Sequence, residues 1–252
     1  MKVTIITVVK NDIKNISTTI KSVINQSYKN LEYILIDGYS IDGTYEKILK
    51  EKKKNRKNIN IKVYRKSDKN LYDGLNRGIR YAKGDIIGLL HSGDKFFNKN
   101  IVSLITTKFN QKINVVSGNV IYKNKNKIVR LWNYKVKNLS LKSSFKIAHT
   151  SLFLHRNLLK KIGNYNLNYT ISSDTEFILR LSENKNTKYL YINKFLIIMS
   201  VNGLSTSFKS LIKKITEDLK IYLQFFGIFF IFFYINKISF KLIKLMIWKF
   251  LR

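Results

Sequence analysis

Carboxylates are scarce in this chain, 15 Asp and Glu against 47 Lys and Arg in 252 residues, and several of them stand directly after short apolar runs. Asp37 closes the run 31–36, Asp68 follows 59–64 within Lys66-Ser67-Asp68, and Asp94 ends His91-Ser92-Gly93-Asp94 after 86–90. Asn11 holds the matching place after 3–9. Such oxygens can accept hydrogen bonds from a polar ligand, hold a hard divalent cation, or take a proton from a hydroxyl. Asp73 and Asn76 lie one helical turn apart, so both can address one ligand. A second group follows downstream, with His149 before the apolar stretch 151–154 and Asp174 closing Ser172-Ser173-Asp174. Structural roles compete throughout: Asp-Gly is a common turn pair, and Ser/Asp clusters open helices. Capping is the preferred reading for Asp42 and Thr44, which precede Glu46 in a first helical turn. Arg180 is assigned to an ion pair within the fold.

The elements that would position these groups can be read from spacing. Residues 3–9 form a β-branched run without a breaker, the mark of a buried strand. Ile13, Ile16, Ile20, Val23 and Ile24 then fall on one helical face. Residues 31–36 read as a second strand, 44–54 as a helix, 59–64 as a third strand and 86–90 as a fourth. Leu71, Leu75, Gly78, Ile79 and Ala82 mark the face of an intervening helix. Strands alternating with helices over the first hundred residues predict βαβ units and a mostly parallel sheet. Ligands of such sheets bind beyond the C-terminal strand ends, which is where the carboxylates sit. The second half is less regular: 115–120 and 151–154 read as strands and 174–182 as a helix.

With no cysteine, disulfides and thiolate metal sites are excluded. The formal net charge of +32 would suit a nucleic acid. However, the lysine excess comes with abundant Asn, Ile, Tyr and Phe and no Pro, the set encoded by AT-rich codons, so genome bias plus membrane attraction is preferred and nucleic acid is not expected as a partner. The N-terminus lacks an h-region of signal-peptide length and a small-residue cleavage site, which places the body in the cytoplasm.

From residue 205 the texture changes. Residues 221–235 are almost wholly apolar, with Gln224 the exception, and 15 helical residues span roughly 22 Å, short of a hydrocarbon core of about 30 Å. Lys237, Lys241 and Lys244 share a helical face, while Leu242, Leu245, Met246 and Trp248 add apolar bulk. Nine basic residues against two acidic ones give 205–252 a net +7. The expectation is a tail lying on an anionic membrane surface. The alternative is a hydrophobic helix packed on the body or on a partner subunit.

The strings Val3-Thr4-Ile5-Ile6-Thr7-Val8-Val9-Lys10-Asn11, Gln26-Ser27-Tyr28-Lys29-Asn30-Leu31-Glu32-Tyr33, Ile36-Asp37-Gly38-Tyr39-Ser40-Ile41-Asp42-Gly43-Thr44 and Ser67-Asp68-Lys69-Asn70-Leu71-Tyr72-Asp73-Gly74-Leu75-Asn76-Arg77-Gly78 together resemble glycosyltransferase family 2, the inverting enzymes of GT-A fold. The branch they resemble builds bacterial surface polysaccharides, and the resemblance runs from residue 3 to about 204. It implies an α/β catalytic domain over 1–204, with a nucleotide-binding half to about residue 100 and an acceptor half beyond. It further implies transfer of a sugar from a nucleotide diphosphate-sugar, a UDP-sugar by family frequency, to a glycan or lipid-linked acceptor.

Specific roles follow from the resemblance. Asp37, Asp68, Asp73 and Asn76, with Asn11, are implied to line the nucleotide pocket. His91-Ser92-Gly93-Asp94 takes the place of the family's DxD motif, whose carboxylate brings Mn²⁺ or Mg²⁺ to the diphosphate. The pattern departs here, since the two usual Asp positions fall on His91 and Gly93, which leaves Asp94 as the implied metal ligand and His91 facing ion or diphosphate. Ser172-Ser173-Asp174 matches the family's Glu-Asp pair with Ser173 replacing Glu, which makes Asp174 the implied catalytic base. His149 is implied to contact diphosphate or acceptor. Two other readings compete. A sugar nucleotidyltransferase would need a Gly-rich phosphate loop after the first strand, and residues 3–15 contain no Gly. A non-catalytic basic module binding membrane or nucleic acid gives no reason for carboxylates at strand ends.

Overall fold

In the computed structural model, which describes residues 1–55, 59–125, 127–201 and 208–250 (the side chains of 208, 209 and 244–250 excepted), a mixed sheet is covered by helices on both faces and followed by a helical hairpin. The chain begins with β1 (Val3–Val9), α1 (Ile16–Ile24), β2 (Leu31–Asp37), α2 (Thr44–Lys53), β3 (Asn60–Arg65), α3 (Leu71–Tyr81) and β4 (Ile86–Leu89). It continues with β5 (Lys95–Phe96), α4 (Ile101–Thr106), β6 (Val115–Asn124), β7 (Lys127–Trp132), β8 (Phe153–His155), α5 (Arg156–Ile162), α6 (Ser173–Glu183) and β9 (Tyr189–Ser200). Among the described residues the strand order is β3-β2-β1-β4-β8-β6-β9-β5, with β7 paired to β6.

The parallel pairing read from the sequence occupies β3, β2, β1 and β4. Beyond β4 the sheet becomes mixed: β8 runs antiparallel to β4 and β6, while β6 and β9 are parallel. Every residue of β1 and β2 is buried, as apolar strands covered on both faces require. Alternate residues serve two cores. Val3, Ile5 and Val9 pack with α1 residues Ile16, Ile20 and Val23, while Ile6 and Val8 pack with Tyr72 and Leu75 of α3. Two glycines bring α3 close to the sheet, since a Cβ at Gly74 would stand 2.6 Å from Val8 Cγ1 and one at Gly78 would overlap Ile6. Order reverses around β1, so the crevice beyond the ends of β1 and β4 is the natural ligand position of such a sheet.

The C-terminal part differs from the single surface helix read over 221–235. Helix α7 (Phe208–Phe226) ends at a one-turn 3₁₀ segment, Gly227–Phe229, and α8 (Phe230–Phe250) folds back along it. Gly227 takes φ +53° at the bend, a conformation most side chains resist. Tyr222 meets Tyr234, Phe226 stacks on Phe233 at 4.3 Å between centroids, and Lys237 donates to Asp218 at 2.9 Å. The helical stretch Ser210–Ile243 is long and apolar enough to cross a membrane, but these contacts make it two antiparallel arms rather than one rod.

The expected basic lipid-facing stripe is corrected on the same observations. Lys237 is 4% exposed and Lys241 partly buried, both turned toward the body, while Ile228, Phe229, Ile231, Phe232 and Ile235 are exposed. The side chains of Lys244, Leu245, Met246 and Trp248, and residue 205, the expected start of the tail, lie outside the described residues.

Candidate active site

Three side chains meet beyond the end of β4. His149 lies on a short 3₁₀ turn (His149–Ser151) before β8, and Asp174 lies in the first turn of α6. His149 Nδ1 is 3.0 Å from Asp174 Oδ2, and its Nε2 is 3.3 Å from His91 Nε2. Geometry assigns the Nδ1 proton to the Asp174 bond. The Thr175 backbone N–H donates to Asp174 Oδ1 at 2.9 Å, and the Tyr72 hydroxyl, whose one proton is shared with Ile171 O at 2.7 Å, lies 3.3 Å from the same oxygen. Burial alone would raise the Asp174 pKa, but His149 and then Lys214 and Lys237 outweigh it and hold the carboxyl far below its usual range. Asp174 is therefore ionised at neutral pH, with its side chain 21% exposed. His91 is the reverse case: burial and the neighbouring His149 push its pKa down to about 3, so it is neutral.

Asp94 ends the turn after β4. Its N–H donates to His91 O at 3.0 Å across Gly93, whose φ of +89° suits glycine. Buried Thr19 pins the turn by accepting from Gly93 N and donating to Asp94 O. Asp94 Oδ1 accepts from Ser200 N at the end of β9, while Oδ2 is buried without a hydrogen-bond partner. Burial, opposed by the Ser200 bond, raises its pKa to about 7. Among the described residues no three His, Cys, Asp or Glu gather as a closed metal site. One free carboxylate oxygen fits an ion that takes its other ligands from phosphate and water, as Mg²⁺ commonly does.

The strand-end residues fall into two classes. Asp37 is fully buried, accepts from Ser40 N at 3.1 Å, pairs with Arg65 at 3.4 Å and keeps Oδ1 without a partner. Asp68 pairs with Arg77 at 3.1 Å, and burial pushes its pKa up. Asp73 makes its backbone bond to Asn70, the N-cap of α3, while its carboxylate accepts from Lys69 N and Arg77. Asn76 is committed elsewhere: its amide donates to Tyr165 O at 2.9 Å and accepts from Tyr165 N at 2.8 Å, so the expected shared ligand face with Asp73 is not formed. Asn11 is likewise occupied, accepting from Ile41 N while its own N–H donates to Ser40. Arg180 pairs with Glu176 at 2.8 Å as read, and Asp42 is structural as read, accepting from Thr44 N and Ile13 N, although the N-cap of α2 is Gly43.

Three supporting contacts carry no motif. Glu217 of α7 accepts from the backbone N–H groups of Thr170, Ile171 and Ser172 and from the Thr170 hydroxyl, fixing the segment that leads into Asp174. Lys214 reaches Ser172 Oγ at 3.4 Å. Ser92 donates to Asp12 at 2.6 Å, tying the turn after β4 to the loop after β1. Glu217 and Asp218 are the two acids of the tail, which was the sequence signal that it packs inward.

The pattern of the family described as Glycosyl transferase family 2 matches residues 4–173, from the second residue of β1 to the residue before Asp174. The chain belongs to glycosyl transferase family 2. It is 29% identical over 196 residues to an uncharacterized glycosyltransferase of Mycobacterium tuberculosis, covering 71% of this chain and 68% of that one. It is 26% identical to the PGL/p-HBAD biosynthesis glycosyltransferase of Mycobacterium bovis, covering 68% of this chain and 66% of that one. In structure it is similar to Staphylococcus aureus TarS 1-349 in complex with UDP, with TM-score 0.65, 17% identity, and coverage of 88% of this chain and 66% of that one. It is also similar to the Pyrobaculum calidifontis mannosyltransferase PcManGT in complex with GDP-Man and Mn²⁺, with TM-score 0.66, 13% identity, and coverage of 88% and 63%. The chain thus spans about two thirds of the length of these relatives. It is a family 2 glycosyltransferase with the GT-A architecture.

Proposed function

We propose that this glycosyltransferase inverts the anomeric carbon of a nucleotide diphosphate-sugar, a UDP-sugar by preference, and transfers it to a glycan or lipid-linked acceptor in bacterial surface-polysaccharide synthesis. The observation that carries the reading is Asp174: an ionised, partly exposed carboxylate at the start of α6, oriented by His149, Tyr72 and Thr175. The acceptor oxygen bonds to C1 of the sugar as the bond from C1 to the diphosphate oxygen breaks. The acceptor proton passes to Asp174, and the nucleoside diphosphate leaves with the electron pair. A carboxylate held so far below its usual range is a weak base. It takes the proton as the forming C–O bond makes that proton acidic.

Asp37, with one unpartnered oxygen, and Asp68, beside Arg77, are proposed to meet the nucleoside. Asp94 would hold Mn²⁺ or Mg²⁺ through its free Oδ2, and the ion would neutralise charge on the departing diphosphate. TarS in complex with UDP-GlcNAc and PcManGT in complex with GDP-Man and Mn²⁺ support this donor class on a shared architecture. The exposed apolar bend of the hairpin supports peripheral attachment to the cytoplasmic face of a membrane.

Thermal-shift titration with UDP, GDP and dTDP, each with and without Mn²⁺, tests the reading. A ligand that binds the native state raises Tm by mass action. A rise with one nucleotide, enlarged by Mn²⁺, is expected. No rise with any would overturn the donor assignment in favour of a non-catalytic membrane-binding relative.

A further inference from the structure

Helix α8 is inverted for an aqueous protein. Phe232, Ile235, Ile238 and Leu242 of its outer side are exposed, while Lys237 and Lys241, one turn apart, face inward. There they join Lys214 of α7. Lys237 donates to Asp218 Oδ2 at 2.9 Å, and Lys214 lies 4.0 Å from the same oxygen. One carboxylate thus serves two ammonium groups. Among the described residues Lys241 makes no ion pair, and Glu217 is already occupied by backbone N–H groups. Removing cations from water without matching anions costs several kcal/mol each in general terms. The cluster reaches the segment that leads into the reacting carboxylate, because Lys214 Nζ lies 3.4 Å from Ser172 Oγ, two residues before Asp174.

We infer that Lys214, Lys237 and Lys241 form a subsite for a phosphate or diphosphate ester that the acceptor carries near its reactive hydroxyl, and that this ester arrives attached to a lipid. The first part follows from three lysines that share one carboxylate beside the segment carrying the proposed base, an excess to which phosphate oxygens are the natural complement. The second follows from the outer side of the same helix, whose apolar side chains suit the acyl boundary of a bilayer and place a lipid headgroup at the level of the inner lysines. The inference rests on the transfer reading above, with Asp174 as the base that receives the acceptor proton.

The test is calorimetric binding to the full chain of farnesyl diphosphate, farnesol and inorganic pyrophosphate, with nucleotide thermal shifts measured in parallel. Wild type is expected to bind farnesyl diphosphate. Lys214→Gln and Lys241→Gln should each weaken it roughly tenfold to a hundredfold, the cost of one charge-assisted contact, and Lys241→Arg should restore it. Nucleotide shifts should be the same in all variants. Unchanged farnesyl diphosphate affinity in the Gln variants overturns the subsite, as does equal binding of farnesol. Loss of the nucleotide shift in those variants alone would instead give the lysines to the donor diphosphate. Pyrophosphate binding as tightly as farnesyl diphosphate would overturn the lipid source. Absence of any nucleotide shift in wild type removes the transfer reading, and that result is independent of the lysine comparison.

Discussion

His149 Nδ1 faces Asp174 Oδ2 at 3.0 Å, so the proposed base is never a bare carboxylate. Replacing Asp174 by Asn should lower the transfer rate by about 10²–10⁴ while nucleotide binding stays near wild type. His149→Ala should have a smaller effect on rate and a distinct effect on its pH dependence. His149 lowers the Asp174 pKa, so its removal should move the acidic limb of the rate profile to higher pH. An unmoved limb would show that Asp174 is not the group titrating in that profile.

Glu217 offers a stability test. Burial would raise its pKa, but hydrogen bonds from Thr170, Ile171 and Ser172 prevail and lower it from 4.5. Its stabilisation is therefore present above that value and lost as pH falls below it. Glu217→Gln should cost about 1–3 kcal/mol at neutral pH, with a Tm fall of several degrees. The difference from wild type should shrink in acid. The variant should also transfer sugar more slowly, because the 170–172 backbone is no longer held by a charge.

Lys241 predicts a substitution that stabilises the fold. Burial, then Lys237 and Lys214, push its pKa down to about 7 against the weaker pull of Asp218 and Asp174. Between pH 7 and its unfolded value near 10.5 the unfolded chain binds more protons, so this residue's contribution to native stability rises with pH across that window. Lys241→Met should raise Tm most below pH 7, with the gain fading in alkali. A Tm that falls at every pH would mean that the stem of Lys241, rather than its charge, decides its effect.

The hairpin bend can be tested without disturbing the fold. Ile228 and Phe229 are 86% and 64% exposed and Phe232 is 66% exposed. Phe229→Ser with Phe232→Ser should leave Tm unchanged and reduce sedimentation with anionic vesicles by about tenfold or more, from the apolar area withdrawn. Equal sedimentation would exclude the bend as the attachment point. Deleting 205–252 is a poorer test, since it also removes Glu217 from the segment before Asp174.

The parts of this architecture that follow one local rule were legible in the sequence. Residues 3–9 have the β-branched run of a doubly covered strand, and β1 occupies the same span. Asp37 closes β2, and Asp68 and Asp94 follow β3 and β4 by a few residues, at the C-terminal edge of the parallel strands. Asn76 was misplaced because spacing along α3 shows which residues share a face, not that Tyr165 arrives to take both ends of the amide. The 12-residue β9 went unread, although it pairs with β6 and delivers Ser200 to Asp94. The lysines of α8 read as facing anionic headgroups because they share a helical face beside apolar bulk. Their inward turn depends on Asp218 from another helix and on the bend at Gly227.

The position of Glu217 in the chain also bears on synthesis. The segment preceding Asp174 is complete in sequence long before α7 leaves the ribosome, and chains generally fold N-terminal part first. Strands β1 to β4 can therefore form on the nascent chain while the 170–172 backbone still lacks its anchoring charge. Asp174 would then gain its final support only once α7 has emerged, so that a chain released before that point would carry its carboxylate on a loosened segment.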